Sequence, residues 1–172
     1  MRTRINNGKE QIFCEWRRRW VRLTPEEWVR QQLLHRMVDQ LGYPASLIAV
    51  EVPLAMNQCE NAQMSKAYRA DAVVYATSAI SQVRPASAVS CQPLMIIECK
   101  AETVPLTQRT LDQALTYNRQ LNVPHLLLHN GLQSIFLSIP SDFNFQLSTF
   151  NSLGNNHQSS GIPRYADLLR GQ

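Results

Sequence analysis

No segment of this sequence suits a membrane span or a secretion signal. No apolar run approaches the roughly 18 residues that a membrane-spanning helix needs. The first residues, MRTRINNGKEQIF, carry basic side chains but no apolar stretch of the kind that a signal peptide contains. We therefore expect a cytoplasmic protein that has no membrane partner.

The sequence contains few cysteines, and its net charge is small. The 4 cysteines stand at positions 14, 59, 91 and 99 without the C-x-x-C spacing of zinc or redox sites, so we expect reduced thiols. The net charge of +4 favours a polyanionic partner only weakly. It is concentrated, however, in a cluster formed by Arg17, Arg18, Arg19, Arg22, Arg30 and Arg36. This cluster is either a solvated basic face or a patch that contacts phosphates.

The clearest helix signal lies in TPEEWVRQQLLHRMVDQLGYP. Thr24 suits the N-cap, Pro25 suits the first helical position, and Glu27 completes a capping box. Gly42, followed by Pro44, predicts the helix end. Leucine, methionine and valine between these ends recur at spacings of three and four, which predicts an amphipathic helix.

The rest of the pattern predicts one α/β domain. Strands are predicted at residues 46–54, 67–76, 93–101, 123–130 and 133–139, with a second helix at 105–121. The order helix, three strands, helix, two strands predicts a central mixed sheet of about five strands flanked by helices. We divide the chain into a basic N-terminal arm at 1–23, the domain at 24–140, and a polar C-terminal extension at 141–172 that packs on the same domain.

The third predicted strand, LMIIECKA, ends on opposite charges. Side chains alternate along a strand, so Glu98 and Lys100 point to one face, and Asp71 on the preceding strand can lie beside Glu98. Two adjacent carboxylates repel each other, and Mg²⁺, which needs only one or two carboxylates, relieves that repulsion. Two acids, a lysine and a metal suit phosphodiester hydrolysis. The alternative is a surface ion pair at a strand end.

The order of the predicted elements, with Asp71 on one strand and Glu98 and Lys100 on the next, resembles the PD-(D/E)XK nuclease superfamily. More narrowly, it resembles the N-terminal nuclease-type domain of type I restriction enzyme R subunits. The resemblance covers about residues 20 to 140 and rests on RLTPEEWVRQQLLHRMVDQLGYP, SLIAVE, RADAVVY, LMIIECKA and VPLTQRTLDQALTYNRQLNVPHLLLHNG. It implies a restriction-endonuclease-like fold and a deoxyribonuclease that depends on Mg²⁺ or Mn²⁺. It also implies that Asp71, Glu98 and Lys100 are catalytic, with Asp71 and Glu98 holding the metal.

The same resemblance implies roles for further residues. The family's Q-x-x-x-Y element is present as Gln113 and Tyr117, which share a helix face and would contact the DNA substrate. An acidic residue of the first helix is implied as another metal ligand. Glu27 is the candidate, although the capping box also explains it, and Glu51 is the rival.

Two features differ from the family pattern. Ala70 stands where the superfamily has a proline, and the G-x-x-x-x-G-K-[ST] phosphate loop of the R-subunit motor is missing. We therefore expect a nuclease-like domain without ATP-driven translocation, either standing alone or as a piece of a longer protein. DNA, other restriction-system subunits and a second copy in a homodimer are the expected partners. The alternative function is a catalytically inactive nucleic-acid-binding or assembly module.

Overall fold

The computed structural model describes residues 1–54, 68–78, 90–139, 158–159 and 161–170. Its strands are β1 Thr3–Asn6, β2 Lys9–Cys14, β3 Arg19–Arg22, β4 Ile48–Leu54, β5 Tyr68–Ser78, β6 Ser90–Cys99, β7 His125–His129, β8 Ser134–Ser138 and β9 Gln158–Ser159. Its helices are α1 Pro25–Leu41, α2 Gln108–Leu121 and α3 Tyr165–Arg170. Within these residues, no helix is both long and apolar enough to cross a membrane.

The main sheet has six strands in chain order from β4 to β9. Neighbours run antiparallel except β6 and β7, which are parallel because α2 carries the chain back between them. Five of these strands correspond to the predicted ones, and β9 adds a two-residue edge strand. The predicted mixed α/β sheet with flanking helices, a restriction-endonuclease-like architecture, is therefore confirmed.

A second, antiparallel sheet is formed by β1, β2 and β3. It occupies the segment that the sequence predicted only as a basic arm. Phe13 opposes Trp20 across β2 and β3, and Ile12 and Cys14 are fully buried. Two buried side chains and an aromatic pair explain why so polar a segment forms strands.

The two faces of the main sheet are both covered. On one face, Leu33, Leu34 and Met37 of α1 pack against a cluster that includes Ala72, Val74, Met95 and Ile97. On the other face, Leu111, Ala114 and Leu115 of α2 pack against a cluster that includes Val73, Ile96 and Leu126. The central strand β6 is therefore buried on both sides, which explains its continuous apolar run. Burial continues through Glu98 and Cys99 at the end of the strand, whereas Lys100 is partly exposed.

Local capping sets the ends of α1. The Thr24 hydroxyl accepts from the Glu27 backbone N–H at 3.1 Å, and Gly42 ends the helix in a left-handed conformation, with φ at 75°. The Glu27 side chain, however, does not return to Thr24 as the predicted capping box requires. Its carboxylate accepts from Arg17, Arg30 and Gln31 instead.

The described part of the C-terminal extension packs on the domain. The Tyr43 hydroxyl donates to the Pro163 carbonyl at 2.9 Å, and the Tyr165 hydroxyl donates to the Tyr75 carbonyl at 3.1 Å. Leu168 of α3 is buried in the α1-side cluster. The rest of the extension, residues 141–157, 160 and 171–172, lies outside the described residues.

Candidate functional site

Three acidic residues form a row across adjacent strands of the main sheet. The β4–β5 register sets Glu51 opposite Asp71, and the β5–β6 register, continued by one residue, sets Asp71 beside Glu98. The row interrupts the strand pairing, since Glu51 has a φ of 53° and the Asp71 carboxylate accepts from the Cys99 backbone N–H at 2.7 Å. Left-handed backbone at a non-glycine residue is strained and concentrates at functional sites.

Glu98 is the most deeply buried of these acids, with 2% of its surface exposed. Its Oε1 accepts from the Lys100 ammonium at 2.8 Å, whereas Oε2 is buried and has no hydrogen-bond partner among the described residues. Burial, and then the nearby Asp71 carboxylate, raise the pKa of Glu98 to about 8. A buried carboxylate oxygen without a donor is an open position for a cation or a proton.

Lys100 links the acids to α2 through a chain of hydrogen bonds. Its ammonium also donates to Gln113 Oε1 at 2.9 Å, and Gln113 Nε2 contacts the Tyr117 hydroxyl at 2.7 Å. Burial by itself would lower the pKa of Lys100, but the hydrogen bond and charge of Glu98 outweigh it and raise that pKa. Lys100 is therefore a cation held at a fixed position between β6 and α2.

Glu27 and Glu51 belong to a buried ion-pair network on the other side of Asp71. Arg30 donates to Asp71 Oδ1 at 2.9 Å and also contacts Glu27 and, at 3.4 Å, Glu51. Arg17, from the turn after β2, contacts Glu27 and approaches Glu51 at 2.8 Å. Burial would raise the pKa of Glu27, but hydrogen bonds from Gln31 and Arg30 outweigh it and lower that pKa.

The structure thus brings together five of the residues predicted from the sequence. They are Asp71, Glu98, Lys100, Gln113 and Tyr117. Glu27 and Glu51 are joined to Asp71 through Arg30, a residue that the sequence analysis placed only in the basic cluster. Its spacing of three residues from Glu27 on a helix was the available signal. Arg30 pairs with Asp71 across 41 residues of chain, which no local pattern reveals.

The donor set suits one kind of metal better than others. Among the described residues, no group of three or more histidine, cysteine or acidic side chains could hold a metal ion. Asp71 and Glu98, with its free oxygen, offer two carboxylates at neighbouring positions. Mg²⁺ and Mn²⁺ accept oxygen ligands, and Mg²⁺ keeps several waters, so two carboxylates fit such an ion without a complete protein cage.

Comparison with known proteins identifies a family. Residues 25–150 match the family model described as type I restriction enzyme R protein N terminus, which is well over half of the 172-residue chain. No curated protein matches the chain. The matched region contains all the predicted site residues and begins after β1, β2 and β3.

Proposed function

The chain belongs to the family of type I restriction enzyme R protein N termini, and from that premise we propose that it is a metal-dependent endonuclease-like domain. Its substrate would be DNA, its reaction the hydrolysis of phosphodiester bonds, and its metal Mg²⁺ or Mn²⁺. Membership of the family supports a relation to DNA restriction. The chemistry is argued from the site, because a fold alone does not determine an activity.

The observation that carries the proposal is the unpartnered oxygen of Glu98. Burying a polar oxygen without a partner costs free energy, and burying it beside Asp71 adds repulsion between carboxylates. A divalent cation held by Asp71 and Glu98 would relieve both penalties. Such an ion supplies Lewis-acid stabilisation of the scissile phosphate and lowers the pKa of a water.

The neighbouring side chains support the same chemistry. Lys100, fixed by Glu98 and Gln113, presents a cation next to the acids, where it would offset charge that develops on the phosphate. Gln113 and Tyr117 lie on one face of α2 and would orient the DNA backbone by hydrogen bonds. Glu27 remains a predicted ligand, although Arg17, Arg30 and Gln31 occupy its carboxylate.

One observation favours the second candidate, a catalytically inactive nucleic-acid-binding or assembly module. Both oxygens of Asp71 already accept hydrogen bonds, from Arg30 at 2.9 Å and from the Cys99 backbone N–H at 2.7 Å. An arginine can thus take the place of a metal at this carboxylate. Each oxygen still has a further lone pair, so the pairing with Arg30 is compatible with a metal as well.

The proposal extends to partners. Family membership supports DNA and other restriction-system subunits as partners of this domain. A homodimer, which would suit cleavage of both strands, and a cytoplasmic location remain predictions from the sequence. Size-exclusion chromatography with light scattering, with and without DNA, measures the assembly state directly.

Cleavage of supercoiled plasmid separates the two candidate functions. We expect nicking or linearisation with Mg²⁺ or Mn²⁺ and none with EDTA. Glu98→Gln and Lys100→Met should each lower the rate at least about 100-fold, because the first removes a carboxylate ligand of the proposed metal and the second removes the cation beside it. Glu26, at the start of α1, is close enough to Asp71 and Lys100 to interact electrostatically with both. Asp39→Asn is the matched control, since it neutralises an exposed acid of α1 about 20 Å along the helix from Glu26.

Folding of each variant is checked by circular dichroism and thermal unfolding, and DNA binding is measured in parallel. If wild-type protein and both variants are equally inert while DNA is still bound, the endonuclease proposal fails and the binding module remains. If plasmid is cut at an undiminished rate in EDTA, the metal requirement is wrong.

A further inference from the structure

The small N-terminal sheet has one face toward the protein and one toward solvent. Ile12 and Cys14 are fully buried, so their face of β2 points inward. Side chains alternate along a strand, which turns Gln11 and Phe13 outward. Lys9, two residues before Gln11, points outward by the same alternation. The strand register adds Arg4 and Arg22 opposite Gln11 and Trp20 opposite Phe13, and Arg2 lies next to Phe13, whose N–H donates to the Arg2 carbonyl. We call this side the outer face; it comprises Arg2, Arg4, Lys9, Gln11, Phe13, Trp20 and Arg22.

Two arginines of the outer face lie over aromatic rings. The guanidinium carbon of Arg2 is 4.0 Å from the centroid of the Phe13 ring, and that of Arg4 is 4.3 Å from the Trp20 ring. The two rings meet edge to face, with centroids 5.5 Å apart. These cation–π contacts restrict the positions that both guanidinium groups can take. Two long, flexible cations are thereby ordered in advance of any ligand.

The outer face is strongly positive. Its charged residues are all cations and are all exposed: Arg2, Arg4, Lys9 and Arg22. Arg2 pairs at 3.2 Å with Glu15, but both side chains are at least half exposed, so this bridge is weak and screened. Gln11 lies between Arg4 and Arg22 and accepts from Arg4 Nε at 2.8 Å.

The basic cluster of the sequence therefore divides into two parts with different surroundings. Arg30 is buried and Arg17 is largely covered, and both pair with acids of α1, β4 or β5. Arg19 also approaches Glu51, at 3.8 Å. Arg22, by contrast, joins the exposed cations of β1 and β2 on the outer face. Arg18, Arg19 and Arg36 are exposed as well, but Arg22 is the member of the cluster that lies beside the cations of β1 and β2.

We propose that the outer face is a DNA-backbone binding surface distinct from the Asp71–Glu98 site. Ordered guanidinium groups can each donate a pair of hydrogen bonds to phosphate oxygens, and such contacts do not depend on base sequence. The guanidinium groups cover the aromatic rings, so the face offers phosphate contacts rather than a free stacking platform. The surface lies within residues 1–24, ahead of the region that the family model matches.

The choice of DNA as the polyanion rests on the proposed function, so binding is measured apart from cleavage. The full chain is titrated into fluorescently labelled duplex and single-stranded oligonucleotides in EDTA, and anisotropy is recorded over a range of salt concentrations. A protein that binds but never cuts refutes the proposed function alone. A protein that cuts while outer-face variants bind normally refutes this inference alone.

The main variant is Arg4→Gln with Arg22→Gln, and the matched control is Arg119→Gln, which removes an exposed cation from α2. We expect the double variant to bind duplex about tenfold more weakly, with the log–log salt slope reduced by about 1.8, because two phosphate contacts are lost. For single strands the slope should fall by about 1.4. The control should change either value by less than half as much.

Gln11→Glu is a second variant that tests the outer face even if the double variant does not fold. The new carboxylate takes over the existing bond from Arg4 Nε, so the sheet is kept while the positive face is partly neutralised. It should weaken binding about threefold to tenfold. The inference is overturned if both variants bind DNA like the Arg119→Gln control. Binding of the same proteins to anionic phosphatidylglycerol vesicles is measured in parallel. If both variants bind vesicles more weakly but bind DNA normally, the outer face is a membrane-binding surface and the inference is equally overturned.

Discussion

At the scale of single residues, the acids around the site differ in what neutralises them. Glu27 is almost fully buried, yet both its oxygens accept hydrogen bonds from arginine or glutamine, and its pKa is lowered. Glu98 is equally buried, but one oxygen has no partner among the described residues and its pKa is raised to about 8. Glu27 is satisfied by the protein itself, whereas Glu98 needs a proton or a cation.

This contrast predicts the effect of removing Glu27. Glu27→Ala should lower the free energy of unfolding by about 3 kcal/mol, because Arg17 and Arg30 lose their common partner inside the protein. Burial and the nearby Asp71 charge raise the pKa of Glu26, so Glu26→Ala removes a less favourable acid of the same turn and should cost less than about 1 kcal/mol. Urea titration followed by circular dichroism measures both.

The same variant tests the metal role predicted for Glu27. Binding of Mn²⁺ by folded Glu27→Ala protein, followed by electron paramagnetic resonance, should match that of wild type if the residue is structural. A variant that keeps its stability but binds Mn²⁺ at least tenfold more weakly would instead make Glu27 a ligand.

At the scale of elements, the sequence predicted what local chemistry controls. Thr24 and Gly42 are local capping signals, and α1 indeed runs from Pro25 to Leu41. The approach of Asp71 to Glu98 followed from strand alternation and from the order of the strands. The sheet of β1, β2 and β3 was missed, because short polar strands depend on cross-strand partners that carry no periodic signal. Arg30 was missed as a site residue for a similar reason, since its contact with Asp71 is tertiary.

Two glycines in turns test how much the surroundings add to the cost of a side chain on left-handed backbone. Gly42 and Gly131 both have a positive φ but differ in what lies around them. A Cβ added at Gly42, with φ at 75°, would meet nothing within 4 Å. One added at Gly131, with φ at 89°, would lie 2.8 Å from Glu102 Cγ and 3.3 Å from Val29 Cγ2. Gly42→Ala should therefore cost about 1 kcal/mol and Gly131→Ala about 2 kcal/mol or more.

A double-mutant cycle identifies the cause of the difference. Adding Glu102→Ala to Gly131→Ala should recover part of the extra loss, since the side chain nearest the new methyl group is then removed. Equal losses in free energy of unfolding for the two glycine variants would contradict the steric argument.

At the scale of the whole molecule, segments near both ends of the chain pack against the domain built on the main sheet. Arg17, between β2 and β3, reaches the acids of α1 and β4. Tyr165, at the start of α3, packs against the Tyr43 ring at 5.4 Å and bonds to the Tyr75 carbonyl. Both segments pack on the α1 side of the main sheet, where Trp16 and Tyr165 contact the same cluster.

This arrangement predicts that α3 contributes to global stability although it is only six residues long. Leu168 is 4% exposed within the α1-side cluster, whereas its neighbour Leu169 is 42% exposed. Leu168→Ala should lower the free energy of unfolding by about 2 kcal/mol, and Leu169→Ala should change it by no more than about 0.5 kcal/mol. Both are measured by urea unfolding of the full chain with fluorescence and circular dichroism. Coincident transitions with the two probes would show α3 unfolding together with the main sheet, whereas equal effects of the two substitutions would mean that α3 does not dock in solution.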